Sequence, residues 1–384
     1  MAKRGHGEGT IRKHKNGKWE ARLSIGYDPM TGKLKQVSKY FKTRKEGQDW
    51  LIENQHNINT GRFIEPDKLT LGDWVKRWLT VYVKPGIRPT SYANYVDAAN
   101  LHIIPALGHI PIQSLRTNNI QELYNLKSTE GLSGFMVQRI HRVLSGALKQ
   151  AVKENLIPFN SAEHTTRPKI KRKEILPLSI EEANKYLETA RSDSLYPAFL
   201  LELTSGLRRG ELLAIDWNNV DFAKGEIAIK QSLCRVRYID EGKTKLELTD
   251  VKTEASKRVI PLLKDVVMEL KKLKAKQNEE RLFFGQCYHN NNLVFCTEEG
   301  RPIDPRNFHR KHTAILRKAG IRHVRVHDLR HSFATILLQE GENPENLRDM
   351  LGHTRTSTTM DLYCHSTIEG KRKAVNRLCG IIKG

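Results

Sequence analysis

Apolar and polar residues alternate near the start of the chain and then change to a helical spacing. Alternation at period two runs through Trp19–Tyr27, stops at the turn-forming segment 28–33, and returns over 34–41. Alternating runs on either side of a turn predict a β-hairpin. From Lys42 to Asn59 the apolar residues follow helical spacing instead. We therefore predict a small three-stranded sheet with one helix for residues 1–64.

Helical periodicity continues through the next hundred residues. Six apolar residues fall on one face of a first helix: Leu71, Trp74, Val75, Trp78, Leu79 and Tyr82. Thr70 is placed to cap this helix. Three further helical runs begin at Thr90, Thr117 and Ser133, and proline and glycine residues separate them. Four helices without a strand predict an all-α domain over residues 65–163.

The pattern changes twice more towards the end of the chain. Residues 164–176 have no apolar period and are rich in Lys and Arg, which predicts an extended basic linker, either a DNA contact or a solvated tether. Ser179 then begins a helix, and helical spacing returns beyond Lys264. Four strand-like pieces lie between them: 226–231, 235–239, 246–251 and 258–261. Residues 177–384 are therefore predicted to form a mixed α/β domain, and the whole chain a multidomain α+β protein.

Charge narrows the class of partner. The chain of 384 residues has a formal net charge of +22, and residues 1–62 alone contain fourteen Lys or Arg against six Asp or Glu. An excess of this size predicts a polyanionic partner, double-stranded DNA above all, with a membrane surface as the rival. A basic sheet could lie in a DNA major groove, although a solvated basic face has the same composition. The candidate DNA contacts on the predicted strands and the linker are Lys13, Lys18, Arg22, Lys33, Lys35, Lys39, Arg167, Lys169 and Lys171.

The sequence gives no sign of export or membrane insertion. No apolar run has the length of a membrane span, and residues 1–7 lack the apolar core of a signal peptide. The five cysteines are odd in number, far apart and never in a Cys-x-x-Cys pair: Cys234, Cys287, Cys296, Cys364 and Cys379. We therefore expect free thiols in a reducing cytoplasm, and neither a disulfide framework nor a zinc site.

Histidine, arginine and tyrosine residues concentrate between His327 and Tyr363, where they offer phosphate binding and proton transfer. His327 lies three residues before Arg330, so on a helix both could reach one phosphate. The rival interpretation is a metal site, because His327 and His331 have the spacing of a His-Glu-x-x-His motif. That motif's glutamate is missing here, and the cation of Arg330 beside the ligands opposes metal binding, so phosphate is favoured.

A second candidate cation lies far upstream. Arg208 follows Gly206 at the start of a predicted helix that runs to Leu213. A guanidinium at a helix N-terminus is well placed to bind phosphate oxygens, because the backbone end also favours an anion. Glu211 could orient this guanidinium or pair with Arg209 on the surface, and we favour the orienting role.

Taken in order, these motifs resemble the signature of the tyrosine recombinase, or phage integrase, family. The motifs are Arg208 within Thr204–Glu211, the His327-x-x-Arg330-His331 box, Leu351-Gly352-His353, and Tyr363 ten residues after His353. The resemblance covers the chain from about Ile175 to its end. Residues 68–160 and 1–62 are more loosely similar to the core-binding and arm-binding domains of integrases from phages and conjugative transposons.

The family further implies a lysine on a hairpin between strands. Lys252 fits this position, and Lys243, Lys245 and Lys257 are competitors. By resemblance, the catalytic residues are Arg208, Lys252, His327, Arg330, His353 and Tyr363, and the supporting residues are Glu211 and His331. Cys364 is the rival nucleophile beside Tyr363, but attack of a thiolate on a phosphodiester is rare chemistry.

The implied reaction is the transfer of a DNA phosphoryl group to tyrosine. Tyr363 attacks a phosphodiester and forms a 3′-phosphotyrosyl bond while a 5′-hydroxyl leaves. Arg208 and Arg330 stabilise the charge of the transition state, the two histidines bind the same oxygens or move the tyrosine proton, and Lys252 protonates the leaving oxygen. We expect no cofactor, because the guanidiniums fill the electrostatic role of Mg²⁺ and exchange of phosphoesters needs no ATP.

The resemblance therefore implies a site-specific recombinase, the integrase of a mobile element. It implies a homotetramer on core-type and arm-type DNA sites, with an excisionase and a DNA-bending host protein as further partners, at the nucleoid in a bacterial cytoplasm. The alternatives are a type IB-like topoisomerase and a DNA-binding regulator with vestigial motifs. The complete motif set argues against decay, and the basic N-terminal domain favours recombination over relaxation.

Overall fold

The computed structural model of the chain describes residues 9–27, 30–60, 63–65, 67–170, 176–251 and 256–352. Two compact units are present, Met1–Arg172 and Lys173–Gly384. Within the described ranges, no helix combines the length and the apolar character that crossing a membrane requires.

The first unit begins with a three-stranded antiparallel sheet and a helix. The elements are β1 (Thr10–Lys13), β2 (Trp19–Tyr27), β3 (Leu34–Phe41) and α1 (Arg44–Asn59), with strand order β1-β2-β3. Thr43 caps α1, because its hydroxyl accepts from the main-chain N–H of Glu46 and the Glu46 carboxylate accepts from the main-chain N–H of Thr43. Ala21 and Leu23 on β2 pack with Leu51 of α1 to form the core. The predicted hairpin and helix are confirmed.

The rest of the first unit is helical, as the periodicity predicts. It contains α2 (Leu71–Trp78), α3 (Pro89–Ala98), α4 (Ile104–Leu107), α5 (Thr117–Thr129) and α6 (Gly134–Lys153), and π-helical turns extend α2 over Leu79–Val83 and α3 over Ala99–Ile103. Thr70 and Ser133 cap α2 and α6. Trp74 is fully buried, and its Nε1 donates to the carbonyl of Ala147, 2.8 Å away. The tryptophans of α2 are therefore core residues.

The second unit mixes helices and short strands. Its helices are α7 (Ile180–Ala190), α8 (Tyr196–Ser205), α9 (Arg209–Leu212), α10 (Lys264–Phe284), α11 (Pro305–Lys318), α12 (Val326–Glu340) and α13 (Pro344–Leu351). Its strands are β4 (Val220–Asp221), β5 (Glu226–Ile229), β6 (Gln231–Tyr238), β7 (Lys243–Asp250) and β8 (Arg258–Pro261). The strands form a β4-β5-β8 sheet and a separate β6-β7 hairpin. The apolar helix α8 lies in the main core, and α7, α10 and α12 pack around it. The predicted multidomain α+β fold class is confirmed.

Two elements differ in length from their predicted bounds. The β6-β7 hairpin pairs Gln231 with Asp250 and Tyr238 with Lys243, so each strand starts earlier than its apolar residues indicate. Main-chain pairing in this hairpin does not require apolar side chains, and the added residues are mostly polar. The predicted helix from Arg208 to Leu213 is only one turn, and Arg208 is its N-cap.

Candidate active site

A glycine turn at the end of α8 places the first candidate residue. Gly206 has φ 61°, the left-handed conformation that ends the helix. A Cβ at Gly206 would lie 2.4 Å from Cδ1 of Phe333 and 2.9 Å from Cδ2 of Leu351. Glycine is therefore needed twice, for the backbone conformation and for the close approach of this turn to α12 and α13. The turn brings Arg208 to the C-terminal end of α13.

Arg208 is held at the start of α9 by an acidic side chain. Its Nη1 donates to Oε1 of Glu211 at 2.6 Å, and its main-chain N–H donates to Oε2 at 3.1 Å. Its Nη2 donates to the carbonyl of Gly352 at 3.3 Å. The Arg208 side chain remains 37% exposed, so the guanidinium is both oriented and open to an incoming group.

Arg330 of α12 is one of the largest fully buried side chains in the described part of the chain, with 1% of its surface exposed. Its Nη1 donates to the carbonyl of Gly206 at 2.8 Å, and its Nη2 to the carbonyl of Leu351 at 2.6 Å. Arg330 therefore bridges the glycine turn after α8 and the C-terminal end of α13. This bridging fixes the two turns to each other.

The two arginines converge on one turn although they are far apart in sequence. Arg330 donates to the carbonyl of Leu351, and Arg208 donates to the next carbonyl, that of Gly352. Both side chains carry a positive charge, and Glu211, which pairs with Arg208, compensates only part of the total. The geometry therefore provides a fixed cationic position that favours an anion such as a phosphate.

Glu211 also pairs with a second cation, Arg258, which the sequence pattern did not identify. Its carboxylate is 4% exposed, and Nη2 of Arg258 lies 2.8 Å from Oε2. Burial by itself would raise the pKa of Glu211, but the charges and hydrogen bonds of Arg258 and Arg208 outweigh burial and hold the pKa below its usual value. The buried carboxylate therefore orients both guanidiniums and does not form the alternative surface pair with Arg209.

Arg258 extends this network to the end of α13. Its Nε donates to the carbonyl of Met350 at 2.7 Å, and its Nη1 donates to the carbonyl of Ser256 at 3.0 Å. A signal for this role was present in the sequence. In β8, Arg258 has the same strand phase as the fully buried Ile260, so alternation alone places a cation on the buried face.

The first turns of α12 contain the histidine pair. His327 is exposed and lies three residues before Arg330. Partial desolvation, and then the charges of Arg330 and Arg208, lower the pKa of His327. The His331 ring meets that of His327 edge to face, with 4.9 Å between ring centroids. Burial lowers the pKa of His331 to about 4, so this ring is neutral near pH 7.

In the described part of the chain, no further side chain joins His327 and His331 as a candidate metal ligand. Across the described residues, no group of three or more His, Cys, Asp or Glu side chains is arranged to hold a metal ion. The arginine beside His327 and His331 is within the same helical turn. A position of this charge suits an anion better than a cation.

Three predicted catalytic residues, Lys252, His353 and Tyr363, lie outside the described residues, as does Lys171 of the linker. Lys252 as the catalytic lysine therefore remains a prediction, with Lys243, Lys245 and Lys257 as its competitors.

The basic residues predicted to contact DNA fall on different sides of the N-terminal sheet. Lys13 pairs with Trp19, and Lys39 pairs with Ala21, so both have the register of the face that packs on α1. Arg22 has the register of the opposite face. Lys35 forms an ion pair with Glu65 at 2.6 Å. Lys18 precedes β2 and Lys33 precedes β3, so both lie at strand ends.

The described part of the basic linker is held against the helical domain. The Thr166 main chain exchanges hydrogen bonds with the side chain of Gln121, at 2.8 and 3.1 Å. The carbonyl of Pro168 accepts from Nε2 of Gln138 at 3.1 Å. Arg167 and Lys169 therefore lie on a segment that is hydrogen-bonded to α5 and α6, and this segment is not a fully solvated tether.

Three family models match the chain. The Phage integrase family model matches residues 173–369. The model for a phage integrase N-terminal SAM-like domain matches residues 70–128, and the Arm DNA-binding domain model matches residues 10–58. These matches fall on the mixed α/β unit, the helical region and the N-terminal sheet described above.

Individual proteins and solved structures of this kind are also similar to the chain. A protein of Caldanaerobacter subterraneus subsp. tengcongensis, named tyrosine recombinase XerC-like, is 31% identical over 386 residues, covering 95% of this chain and 97% of the relative. The structure of the Tn1549 transposon integrase with a circular intermediate DNA matches with a TM-score of 0.67 at 19% identity, over 81% of this chain and 99% of that chain. The lambda integrase tetramer bound to a Holliday junction matches with a TM-score of 0.59 at 19% identity, over 93% and 96%. At these identities the two structures establish similarity of fold.

Proposed function

The chain belongs to the phage integrase family of tyrosine recombinases, and from this premise we propose how its residues act on DNA. It is a site-specific DNA recombinase, an integrase that cleaves and rejoins DNA strands by transesterification. The observation that carries the assignment of its site is the convergence of Arg208 and Arg330 on the carbonyls of Leu351 and Gly352. This turn leads directly into His353, ten residues before Tyr363.

In the proposed reaction, the scissile phosphate occupies the cationic position formed by Arg208 and Arg330. The phenolic oxygen of Tyr363 attacks phosphorus, a bond to tyrosine forms, and the bond from phosphorus to the 5′-oxygen breaks. The two guanidiniums stabilise the negative charge that gathers on the non-bridging oxygens. Because Glu211 and the main-chain carbonyls already orient both cations, little reorganisation is needed during the reaction.

Proton transfer accompanies both halves of the exchange. His327, whose lowered pKa keeps it largely neutral near pH 7, accepts the Tyr363 proton or donates a hydrogen bond to the phosphate, together with His353. Lys252 gives a proton to the leaving 5′-oxygen. In the second half, a 5′-hydroxyl of the partner strand attacks the phosphotyrosyl group, and Tyr363 leaves as the phenol. The number of phosphoester bonds is conserved, so no energy source is consumed.

Substitution of the nucleophile tests this proposal. DNA that becomes covalently trapped on the wild-type protein is sequenced, and a nicked duplex of that sequence serves as a suicide substrate. Tyr363→Phe should bind this duplex with unchanged affinity and form no covalent adduct, because only the phenolic oxygen is lost. Cys364→Ser is the matched control and should form the adduct normally. An adduct at the wild-type level with Tyr363→Phe would refute the assignment.

The two alternative functions have distinct outcomes in solution. A type IB-like topoisomerase would relax supercoiled plasmid without a target site and yield no recombinants. A regulator without activity would bind DNA and yield no adduct. The match of an arm DNA-binding model to residues 10–58, in addition to the catalytic-domain match, supports the recombinase over both.

We further propose four segments with separate roles: an arm-type DNA-binding domain (1–64), a core-binding domain (65–163), a basic linker (164–176) and a catalytic domain (177–384). The lambda integrase structure contains a tetramer on a Holliday junction, which supports a homotetramer of this chain on its DNA. An excisionase and a DNA-bending host protein would complete the assembly, at the nucleoid of a bacterial cytoplasm. Light scattering of the complex with a synthetic four-way junction should give four protein chains per junction.

A further inference from the structure

A buried carboxylate lies in the middle of the open face of the N-terminal sheet. Residues 10, 12, 20, 22, 38 and 40 share this face, because Arg12 pairs with Glu20 and Glu20 pairs with Tyr40 across the three strands. The opposite face carries Ala21 and Leu23 against α1. Glu20 is nevertheless only 3% exposed, although the main core is on the other side of the sheet.

The side chains that cover Glu20 are two cations and a phenol. Nε of Arg12 donates to Oε2 at 2.5 Å, Nη2 of Arg22 donates to Oε1 at 3.1 Å, and the hydroxyl of Tyr40 donates to Oε1 at 3.4 Å. The hydrogen bond from Arg12 contributes most to lowering the pKa of Glu20 below its usual value. Arg12, Arg22 and Tyr40 remain exposed by 61%, 37% and 47%.

This arrangement has a cost that simple attraction to DNA does not explain. A carboxylate in the centre of a face that meets a polyanion weakens non-specific binding, because it cancels nearby positive charge. It does, however, restrict two flexible guanidiniums to fixed positions before any partner binds. Fixed side chains lose less conformational entropy on binding and keep their donors in one geometry, which improves discrimination between sequences.

The donor groups of Arg12 are suited to discrimination between DNA sequences. Its bond to Glu20 uses Nε, and the terminal fork of Nη1 and Nη2 is the group that binds O6 and N7 of guanine in a major groove. Apart from Arg22, the residues that charge alone selects on this domain are lysines, and a lysine ammonium cannot make that two-donor contact. Arg12 was not among the residues that the charge pattern selected, because only the strand register places it beside Glu20.

We propose that Glu20 is a specificity-determining residue of the arm domain, which holds Arg12 and Arg22 in place to recognise bases, guanine above all, in the DNA major groove. This inference rests on the proposed function, since it assumes that the N-terminal sheet meets DNA. Arg12 contacts the base directly, and Glu20 acts through Arg12 and Arg22 as a positioning residue. Loss of Glu20 therefore lowers sequence discrimination without lowering affinity for DNA in general.

The test uses the full chain and a pool of random-sequence duplexes. Duplexes bound by the wild type are sequenced to find the enriched motifs, and affinities for each motif and for a scrambled duplex are measured at one salt concentration. Arg12→Lys keeps the positive charge at an exposed position. With this variant, one motif should lose its enrichment, while any core-type motif should remain enriched. For Glu20→Gln, affinity for that same motif should fall about tenfold, and affinity for the scrambled duplex should stay equal or rise.

Glu65→Gln is the matched control, because Glu65 also pairs with a strand cation, Lys35, and neither residue is among those that share the open face. Its removal should change specific and scrambled affinities by the same factor, as a change in net charge alone does. Equal changes in both affinities for Glu20→Gln, or no change in either, would overturn the role of Glu20. Recovery of no motif by the wild type would instead overturn the proposed function, and this inference with it. Survival of the core-type motif in each variant shows that the chain is folded.

Discussion

Arg258 and Glu211 form an ion pair in which both side chains are almost completely buried, with 6% and 4% of their surfaces exposed and 2.8 Å between Nη2 and Oε2. Arg258 also binds the carbonyl of Met350, and Glu211 also binds Arg208. The pair therefore connects strand β8, the start of α9 and the end of α13. Its burial makes it sensitive to the loss of either partner, because the remaining charge would stay inside the protein with one ion-pair partner fewer.

The effects of removing the two partners should therefore not be additive. We expect Arg258→Gln and Glu211→Gln each to lower the free energy of unfolding by roughly 3 kcal/mol. The double variant should cost less than the sum of the two single costs by at least about 1 kcal/mol, because neither Arg258 nor Glu211 then remains buried without the other. Denaturant unfolding of the four proteins measures this coupling energy.

An exposed pair gives the control for this cycle. Lys245 and Glu241 lie 2.9 Å apart with side chains 51% and 47% exposed. Their double-mutant cycle should give a coupling energy below about 1 kcal/mol. Additive effects for Arg258 and Glu211 would show that the buried contact does not couple the elements it joins.

Substitutions of Arg208 and Arg330 should lower stability to different extents, although we propose that both residues act in cleavage. Arg330→Met removes two donors to the carbonyls of the buried residues Gly206 and Leu351, which should cost about 3 kcal/mol of unfolding free energy. Arg208→Met, at a side chain 37% exposed, should cost about 1 kcal/mol. Thermal or denaturant unfolding distinguishes them, and equal losses would contradict the bridging role of Arg330.

The turn after α8 should not tolerate a methyl group. Gly206→Ala combines a left-handed φ of 61° with a Cβ 2.4 Å from Phe333 Cδ1, so we expect a loss of at least about 3 kcal/mol. Gly242 is the matched control, because it has φ 62° and no atom within 4 Å of the added Cβ. Gly242→Ala should cost only about 1 kcal/mol. Equal costs would mean that packing on α12 and α13 contributes nothing.

Two buried histidines should make the protein less stable in mild acid. Burial lowers the pKa of His312 and of His331 to about 4, below the ordinary value of 6.5. Between these values the unfolded chain binds protons that the folded chain does not, so stability is full above pH 6.5 and falls as pH decreases towards 4. Urea unfolding should show a slope of up to about 1.4 kcal/mol per pH unit for each histidine.

Substitution of His312 tests this direction of the pH dependence without changing a residue of the candidate active site. Its Nδ1 meets the Tyr186 hydroxyl at 2.8 Å, and its Nε2 meets the Val324 carbonyl at 2.8 Å. His312→Gln keeps polar atoms in this position and cannot take up a proton. We expect the slope between pH 6 and 5 to fall by about 1 kcal/mol per pH unit. An unchanged slope would show that His312 does not contribute to acid sensitivity.

The local features of this protein follow from its sequence. Alternation gave the β2-β3 hairpin, helical spacing gave the helices of both units, and the capping residues Thr70, Ser133 and Ser179 marked where three of them begin. The motif residues gave the family. These features depend on residues a few positions apart, whose geometry the backbone fixes directly. The placement of His327 and Arg330 on one helical face is a local feature of the same kind.

The partners of those residues depend on the tertiary structure. Arg258 reaches Glu211 across 47 positions, and Arg208 reaches Gly352 across 144. Periodicity indicates that a side chain faces inward, but packing of separate elements decides what it meets there. The same reason explains Glu20, whose sequence neighbours are ordinary. Only the pairing of three strands places it between Arg12, Arg22 and Tyr40, so a face that charge describes as basic has a carboxylate at its centre.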